Sequence, residues 1–299
     1  MSILVLGTVA LDTVKTPHGR RHYMLGGSAV HFSMSARLFT HVNLVATVGE
    51  DFPSQHLDFL SGKGINLDSL MKTAGVTFKW SGEYKGDMNT ALTLKTELGV
   101  LSTFSPKVRT GQRGIRNIFL ANVDPDIQKQ LLGRMHSARL VGLDSMNYWI
   151  HNKRASLLRL LKKVDIYVAN DREARDLSGE EHLVSAARRL QRMGPRIVLI
   201  KKGEHGVMLY GPDLFFSLPA YPVDKVVDPT GAGDTFAGGF MGYLAGCGRT
   251  DRKALKRAIV YGTVCASFNV EGFGLERSGR LTLADIRGRM KCFKEISAF

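Results

Sequence analysis

Cysteine is scarce: the 299 residues hold three, at 247, 265 and 292. Three widely separated thiols cannot staple a chain of this length, and none has the spacing of a metal knuckle. No run approaches the roughly 20 apolar residues of a membrane-spanning helix. The opening Met1-Ser2-Ile3-Leu4-Val5-Leu6-Gly7 has no basic stretch and too short an apolar run for a secretory signal. The expectation is a soluble, cytoplasmic protein with no membrane partner. Two common phosphate-binding patterns, Gly-x-x-x-x-Gly-Lys-Ser/Thr and Gly-x-Gly-x-x-Gly, are missing, as are internal repeats and low-complexity tracts. Acidic residues are outnumbered, 27 against 41 Lys and Arg, for a net charge of +14. The excess is spread over predicted helices, as in Arg188-Arg189 and Lys256-Arg257, without interleaved aromatics. That pattern reads as a solvated basic surface that helps draw in anionic ligands, not as a nucleic-acid interface.

The chain does have a core. At 44% hydrophobic and 23% charged it suits one large α/β domain or a domain with an appendage. Its most informative stretch is Val227-Asp228-Pro229-Thr230-Gly231-Ala232-Gly233-Asp234-Thr235-Phe236. Pro229 biases Asp228 away from helical geometry. Gly231 and Gly233 permit a tight turn, and the apolar spacing becomes helical from about Ala232. A Gly-rich turn opening a helix binds anions, because its first amides lack intrahelical partners and the dipole is positive there. Asp234 contradicts that purpose. A carboxylate would repel a bound phosphate unless it removes the proton from a hydroxyl attacking that phosphate. As a plain helix cap it would need no such explanation.

Asp-Pro-Thr-Gly-Ala-Gly-Asp-Thr-Phe, followed by Gly-Gly-Phe at 238–240, resembles the C-terminal signature of the PfkB/ribokinase family of carbohydrate and nucleoside kinases. Gly26-Gly27-Ser28, leading into an apolar helical face at 29, 32, 36 and 39, resembles that family's N-terminal signature. Sugar-specific ribokinases carry Lys and Asn where this chain has Ser28 and His31, which weakens ribose as the acceptor. Leu25-Gly26-Gly27-Ser28-Ala29 also resembles inositol-kinase-like members. Asn170-Asp171-Arg172-Glu173 matches the family's Asn-x-x-Glu motif, although the same string suits a capping box.

The resemblance implies a three-layer α/β/α domain with a mainly parallel sheet and a small β-sheet lid. Residues 1–12, 26–75 and 99–299 would form the main domain, and 13–25 with 76–98 the lid. Val76–Tyr84 and Asn89–Leu98 alternate as half-wet strands do. Such a small sheet cannot stand alone, so it would cover the active site, pair with a second copy of the chain, or both.

The implied reaction moves the γ-phosphoryl of ATP to a small alcohol: a sugar or polyol first, a nucleoside as the alternative. A non-enzymatic binding protein is a remote third reading. Asp234 would be the general base, with Gly231, Ala232 and Gly233 forming the anion hole. Asp12, Gly26, Gly27 and His31 would hold the acceptor. Asn170, Lys201, Gly203, Gly206 and Asn269 would border the nucleotide. Glu173 would act on Mg2+ through water, since magnesium keeps several waters. Asp228 is the candidate for a monovalent cation such as K+. A nucleoside acceptor would need an aromatic surface, for which Phe32, Phe78 and Trp80 are available. Gly238, Gly242 and Gly246 repeat every four residues and are read as helix packing only.

Overall fold

Continuous apolar runs in this chain become strands buried on both faces. The computed structural model describes residues 1–298. Its strands are β1 (Ser2–Leu6), β2 (Ala10–Thr16), β3 (Gly19–Gly26), β4 (His41–Val48), β5 (Ile65–Lys72), β6 (Lys79–Tyr84), β7 (Ala91–Glu97), β8 (Asn117–Leu120), β9 (Leu140–Asp144), β10 (Ile166–Asn170), β11 (Ile197–Lys201), β12 (Val207–Gly211) and β13 (Leu214–Leu218). Its helices are α1 (Ser28–Ala36), α2 (Ser54–Gly62), α3 (Pro125–Leu132), α4 (Asn147–Asn152), α5 (Arg154–Leu161), α6 (Asp171–Ser178), α7 (Leu183–Arg192), α8 (Ala232–Cys247), α9 (Arg252–Asn269) and α10 (Leu283–Ser297).

Among the described residues, nine strands form one sheet in the order β13-β12-β11-β10-β9-β8-β1-β4-β5. It is parallel from β11 through β5, with β12 and β13 antiparallel at one end. Leu4, Ile118 and Tyr167 face the cluster that includes α5, α6 and α7, while Ile3, Phe119 and Val168 face the one that includes α1, α8 and α9. Helices thus cover both faces, as the three-layer expectation requires. The glycine stripe marks where α8 crosses α1. A Cβ on Gly238 would strike the Phe32 carbonyl, one on Gly246 the Phe39 carbonyl, and one on Gly242 would lie 2.7 Å from Ala36 Cα.

A second sheet has the order β3-β2-β6-β7. It starts at Ala10, three residues before the expected boundary, because Ala10 pairs with Gly26 and Asp12 with both Met24 and Trp80. Asp12 therefore belongs to the small sheet and not to the main domain. The sheet's inner face carries Val14, Tyr84 and Met88 against Met24, Trp80 and Val226. Tyr23, Leu92, Leu94 and Leu98 are exposed.

Candidate active site

The carboxyl ends of parallel strands in such folds open into a common crevice. Here β9 ends at Asp144, β10 at Asn170 and β11 at Lys201. Gly231, at φ 72, turns the chain into α8 and brings Asp234 into its first turn. Few residues other than glycine hold that φ without strain, and a side chain there would also collide with the His31 ring.

The turn is held from three directions. Asp228 is fully buried, accepting from Thr230 N at 2.9 Å and Gly274 N at 3.0 Å. Each of its oxygens thus accepts one backbone hydrogen bond, and each keeps a lone pair for a neighbouring donor or cation. Tyr84, from the small sheet, accepts from Thr230 Oγ1 at 3.4 Å and so closes the sheet over the turn. Asn269 donates through Nδ2 to the Thr230 carbonyl at 2.8 Å.

The amides divide unequally. Ala232 N donates to the Pro229 carbonyl at 3.1 Å, so it is consumed in the turn and is not an anion-hole donor as expected. Among the described residues, the Gly233 and Asp234 amides have no backbone partner outside α8. The Lys201 ammonium stands beside them: a Cβ on Gly233 would lie 2.8 Å from Lys201 Nζ. That ammonium is fixed 3.0 Å from Asp144 Oδ2. Asp144, only 4% exposed, was missed by sequence reasoning, although an Asp directly after the apolar run 140–143 was a usable signal.

The carboxyls crowd one another. Burial, then the charges of Asp144, Glu173 and Asp12, push Asp234 up to about 8, with Lys201 opposing. Burial and then Asp144 push Glu173 up to about 7 against Lys201. Asp12 rises to about 7 through burial and the charge of Asp228, while the Gly27 amide opposes. Burial works against the Lys201 charge, yet Asp144, Glu173 and Asp234 outweigh it and its pKa is raised. A crevice with several carboxyls raised and one ammonium favours incoming cationic charge and proton transfer near neutral pH.

Asn170 and Glu173 form the capping box. Asn170 Oδ1 accepts from Glu173 N at 2.7 Å, and Glu173 Oε2 accepts from Asn170 N at 2.7 Å. Glu173 still senses Asp144 and Lys201. Asp12 lies across Gly26, so close that a Cβ there would overlap its carboxylate. Gly203 faces Asn89 at the tip between β6 and β7. Gly206 packs instead on the backbone at 218–220, because its Cβ position abuts the Leu218 carbonyl.

Two expected contacts are corrected. His31 and Asn269 are each 1% exposed, behind the turn and not in the crevice, because they bond each other through His31 Nδ1 and Asn269 Oδ1 at 3.3 Å. Of the aromatic candidates, Phe32 is fully buried against Phe119, with ring centroids 4.4 Å apart. Trp80 and Phe78 stay half-buried.

A mainly parallel α/β sheet whose strand ends surround a glycine turn, a carboxyl and a lysine is an arrangement suited to phosphoryl transfer. The chain belongs to the pfkB family of carbohydrate kinases, whose family model matches residues 4–279. It is 34% identical over 253 residues to a cytidine kinase of Thermococcus kodakarensis, covering 82% of this chain and 90% of that one. It is 27% identical over 282 residues to a nucleoside kinase of Methanothermobacter thermautotrophicus, covering 86% and 82%. Its fold is that of the Methanocaldococcus jannaschii nucleoside kinase, an archaeal member of the ribokinase family. That structure has a TM-score of 0.76 at 20% identity, with 97% of this chain and 98% of that one covered.

Proposed function

We propose that this kinase transfers the γ-phosphoryl group of ATP to a hydroxyl of a nucleoside. The observation that carries the reading is the pairing of Asp12 with Trp80 on adjacent parallel strands of the small sheet. Paired residues share a face, so the carboxylate and the indole both look into the crevice. The Trp80 ring covers Gly82, where any side chain would overlap it, and its Nε1 donates to Thr93 Oγ1 at 3.2 Å. A carboxylate suits the sugar hydroxyls, and an indole beside it suits a base. The cytidine and nucleoside kinase relatives support the same choice over a free sugar or polyol.

In the reaction, the acceptor oxygen attacks the γ-phosphorus while its proton passes to Asp234. The bond from phosphorus to the β–γ bridging oxygen breaks, and ADP leaves. The Gly233 and Asp234 amides and the Lys201 ammonium face the charge that develops on the phosphoryl oxygens. One such donor contributes about 2.7–4 kcal/mol to the transition state, and a general base roughly 10² to 10⁴ in rate. Glu173, raised by burial and then by the neighbouring Asp144 charge, fits a hydrated divalent cation, which would hold it ionised. When bound, magnesium would offset the charge of the ATP phosphates.

ATP consumption tested against cytidine, uridine, adenosine, inosine, ribose, fructose and myo-inositol decides the acceptor. The nucleosides, cytidine first, should show the highest kcat/KM. A free sugar or inositol ahead of every nucleoside would sink the reading. The exposed Tyr23, Leu92 and Leu94 support pairing of two copies through the small sheet. Sedimentation of Leu92→Asp beside the wild type tests that, and two equal monomer profiles would refute it.

A further inference from the structure

His31 and Asn269 touch no open crevice, yet between them they reach both halves of the reaction. His31 lies one turn into α1, which starts at Ser28 directly after the acceptor loop Gly26-Gly27. Its ring fills the space where a side chain on Gly231 would go. Asn269 ends α9 and makes three contacts with its amide group. Nδ2 donates to the Thr230 carbonyl at 2.8 Å, and Oδ1 accepts from Thr235 Oγ1 at 3.1 Å and meets His31 Nδ1 at 3.3 Å. Thr230 and Thr235 flank the turn that carries Gly233 and Asp234. A second link runs beside the first: Ser35 Oγ, also on α1, donates to the Thr235 carbonyl at 2.7 Å.

The hydrogen positions follow from this pattern. The Asn269 amide nitrogen is committed to a carbonyl, so its oxygen is the atom toward His31, and an oxygen can only accept. His31 must then carry its proton on Nδ1. Burial lowers the pKa of His31, against the opposing charge of Asp228 and the bond to Asn269, which favours the neutral ring. A neutral Nδ1–H imidazole satisfies Asn269 without placing a second buried cation behind the anion hole.

We propose that His31 and Asn269 are positioning residues: a buried hydrogen-bonded brace that locks the phosphoryl-binding turn to the helix carrying the acceptor loop. The brace sets the distance between acceptor hydroxyl and γ-phosphoryl without touching either. Misplacement by about 1 Å costs on the order of 10² in rate, so such a brace acts on kcat. The inference rests on the kinase reading of the turn and not on which alcohol is the acceptor.

Three variants and one spectrum test it. His31→Phe keeps a ring against Gly231 but removes the donor. Its kcat should fall by about 10- to 100-fold, with KM for ATP and acceptor within about threefold of wild type. His31→Asn, which restores an N–H donor, should recover most of the lost kcat. Thr235→Val loosens the brace from the other side and should also lower kcat alone, with a melting temperature close to wild type. Nitrogen-15 NMR of the ligand-free enzyme at neutral pH should place the His31 proton on Nδ1. That spectrum needs no substrate, so it stands even if the acceptor panel fails. A proton on Nε2, a raised acceptor KM at unchanged kcat in His31→Phe, or unchanged kcat in both His31→Phe and Thr235→Val would each overturn the proposal.

Discussion

The Lys201 ammonium lies 3.0 Å from Asp144 Oδ2 and reaches to the face of Gly233. Burial does most to raise the pKa of Asp234, and the pair then acts on it from opposite sides, Asp144 raising it further and Lys201 lowering it. A general base works only when unprotonated, so kcat/KM should fall as the pH drops below about 8. Lys201→Met removes the lowering charge and should move that acid limb to higher pH. Asp144→Asn removes the raising charge and should move it lower. Measured pH profiles for the two variants should therefore separate in opposite directions, and a common direction would refute the arrangement.

Asp234 itself has the sharper test. Asp234→Asn keeps the shape and the backbone amides but cannot accept a proton. Its kcat should drop by at least about a hundredfold with KM little changed. Steady-state kinetics with saturating ATP check this, and near-normal turnover would remove Asp234 from the base role.

Trp80 should matter for one substrate only. Base stacking on an aromatic ring contributes about 1–3 kcal/mol, so Trp80→Ala should raise the nucleoside KM by about 5- to 150-fold. KM for ATP should not move. A parallel rise in both would mean that the indole supports the small sheet and does not meet the acceptor.

Much of this was legible because it is local. Buried parallel strands announce themselves as runs such as Ile3–Leu6, and the glycine turn followed by an acid is one contiguous string. The stripe at 238, 242 and 246 announced close helix packing through its period, and the structure supplies α1 as the neighbour. What stayed hidden depends on pairing across distance. Asp144 meets Lys201 57 residues away, and His31 meets Asn269 238 residues away. Nothing in the spacing of either pair reveals the contact. Ala232 illustrates a subtler gap: its place in the motif was clear, but whether its amide faced ligand or Pro229 was fixed only by the turn's closure.

Raised carboxyls also leave a mark on stability. Asp12, Glu173 and Asp234 are held at about 7, 7 and 8 when folded, above their ordinary values. Between the unfolded and folded pKa values the native state binds more protons than the unfolded one, so stability falls as pH rises. The ligand-free enzyme should therefore melt at a lower temperature at pH about 9 than at about 6, by this linkage. Asp234→Asn should melt above wild type at the higher pH, with the gap closing as the pH falls. A wild-type melting temperature that climbs across this range would contradict the crowding of these groups.

The two glycine environments in the last helices make opposite predictions for one chemical change. A methyl group at Gly238 in α8 would strike the Phe32 carbonyl and Ser35 Oγ, both on α1. A backbone oxygen in a packed helix cannot step aside cheaply, so Gly238→Ala should destabilise by about 1–3 kcal/mol despite alanine's better helix propensity. In α10, by contrast, nothing lies within 4 Å of a Cβ on Gly288. There the propensity term acts alone, and Gly288→Ala should stabilise by up to about 1 kcal/mol. Urea unfolding midpoints of the two variants should fall on either side of wild type. Equal shifts of one sign would mean that α8 and α1 are not in the close contact that the stripe of small residues provides.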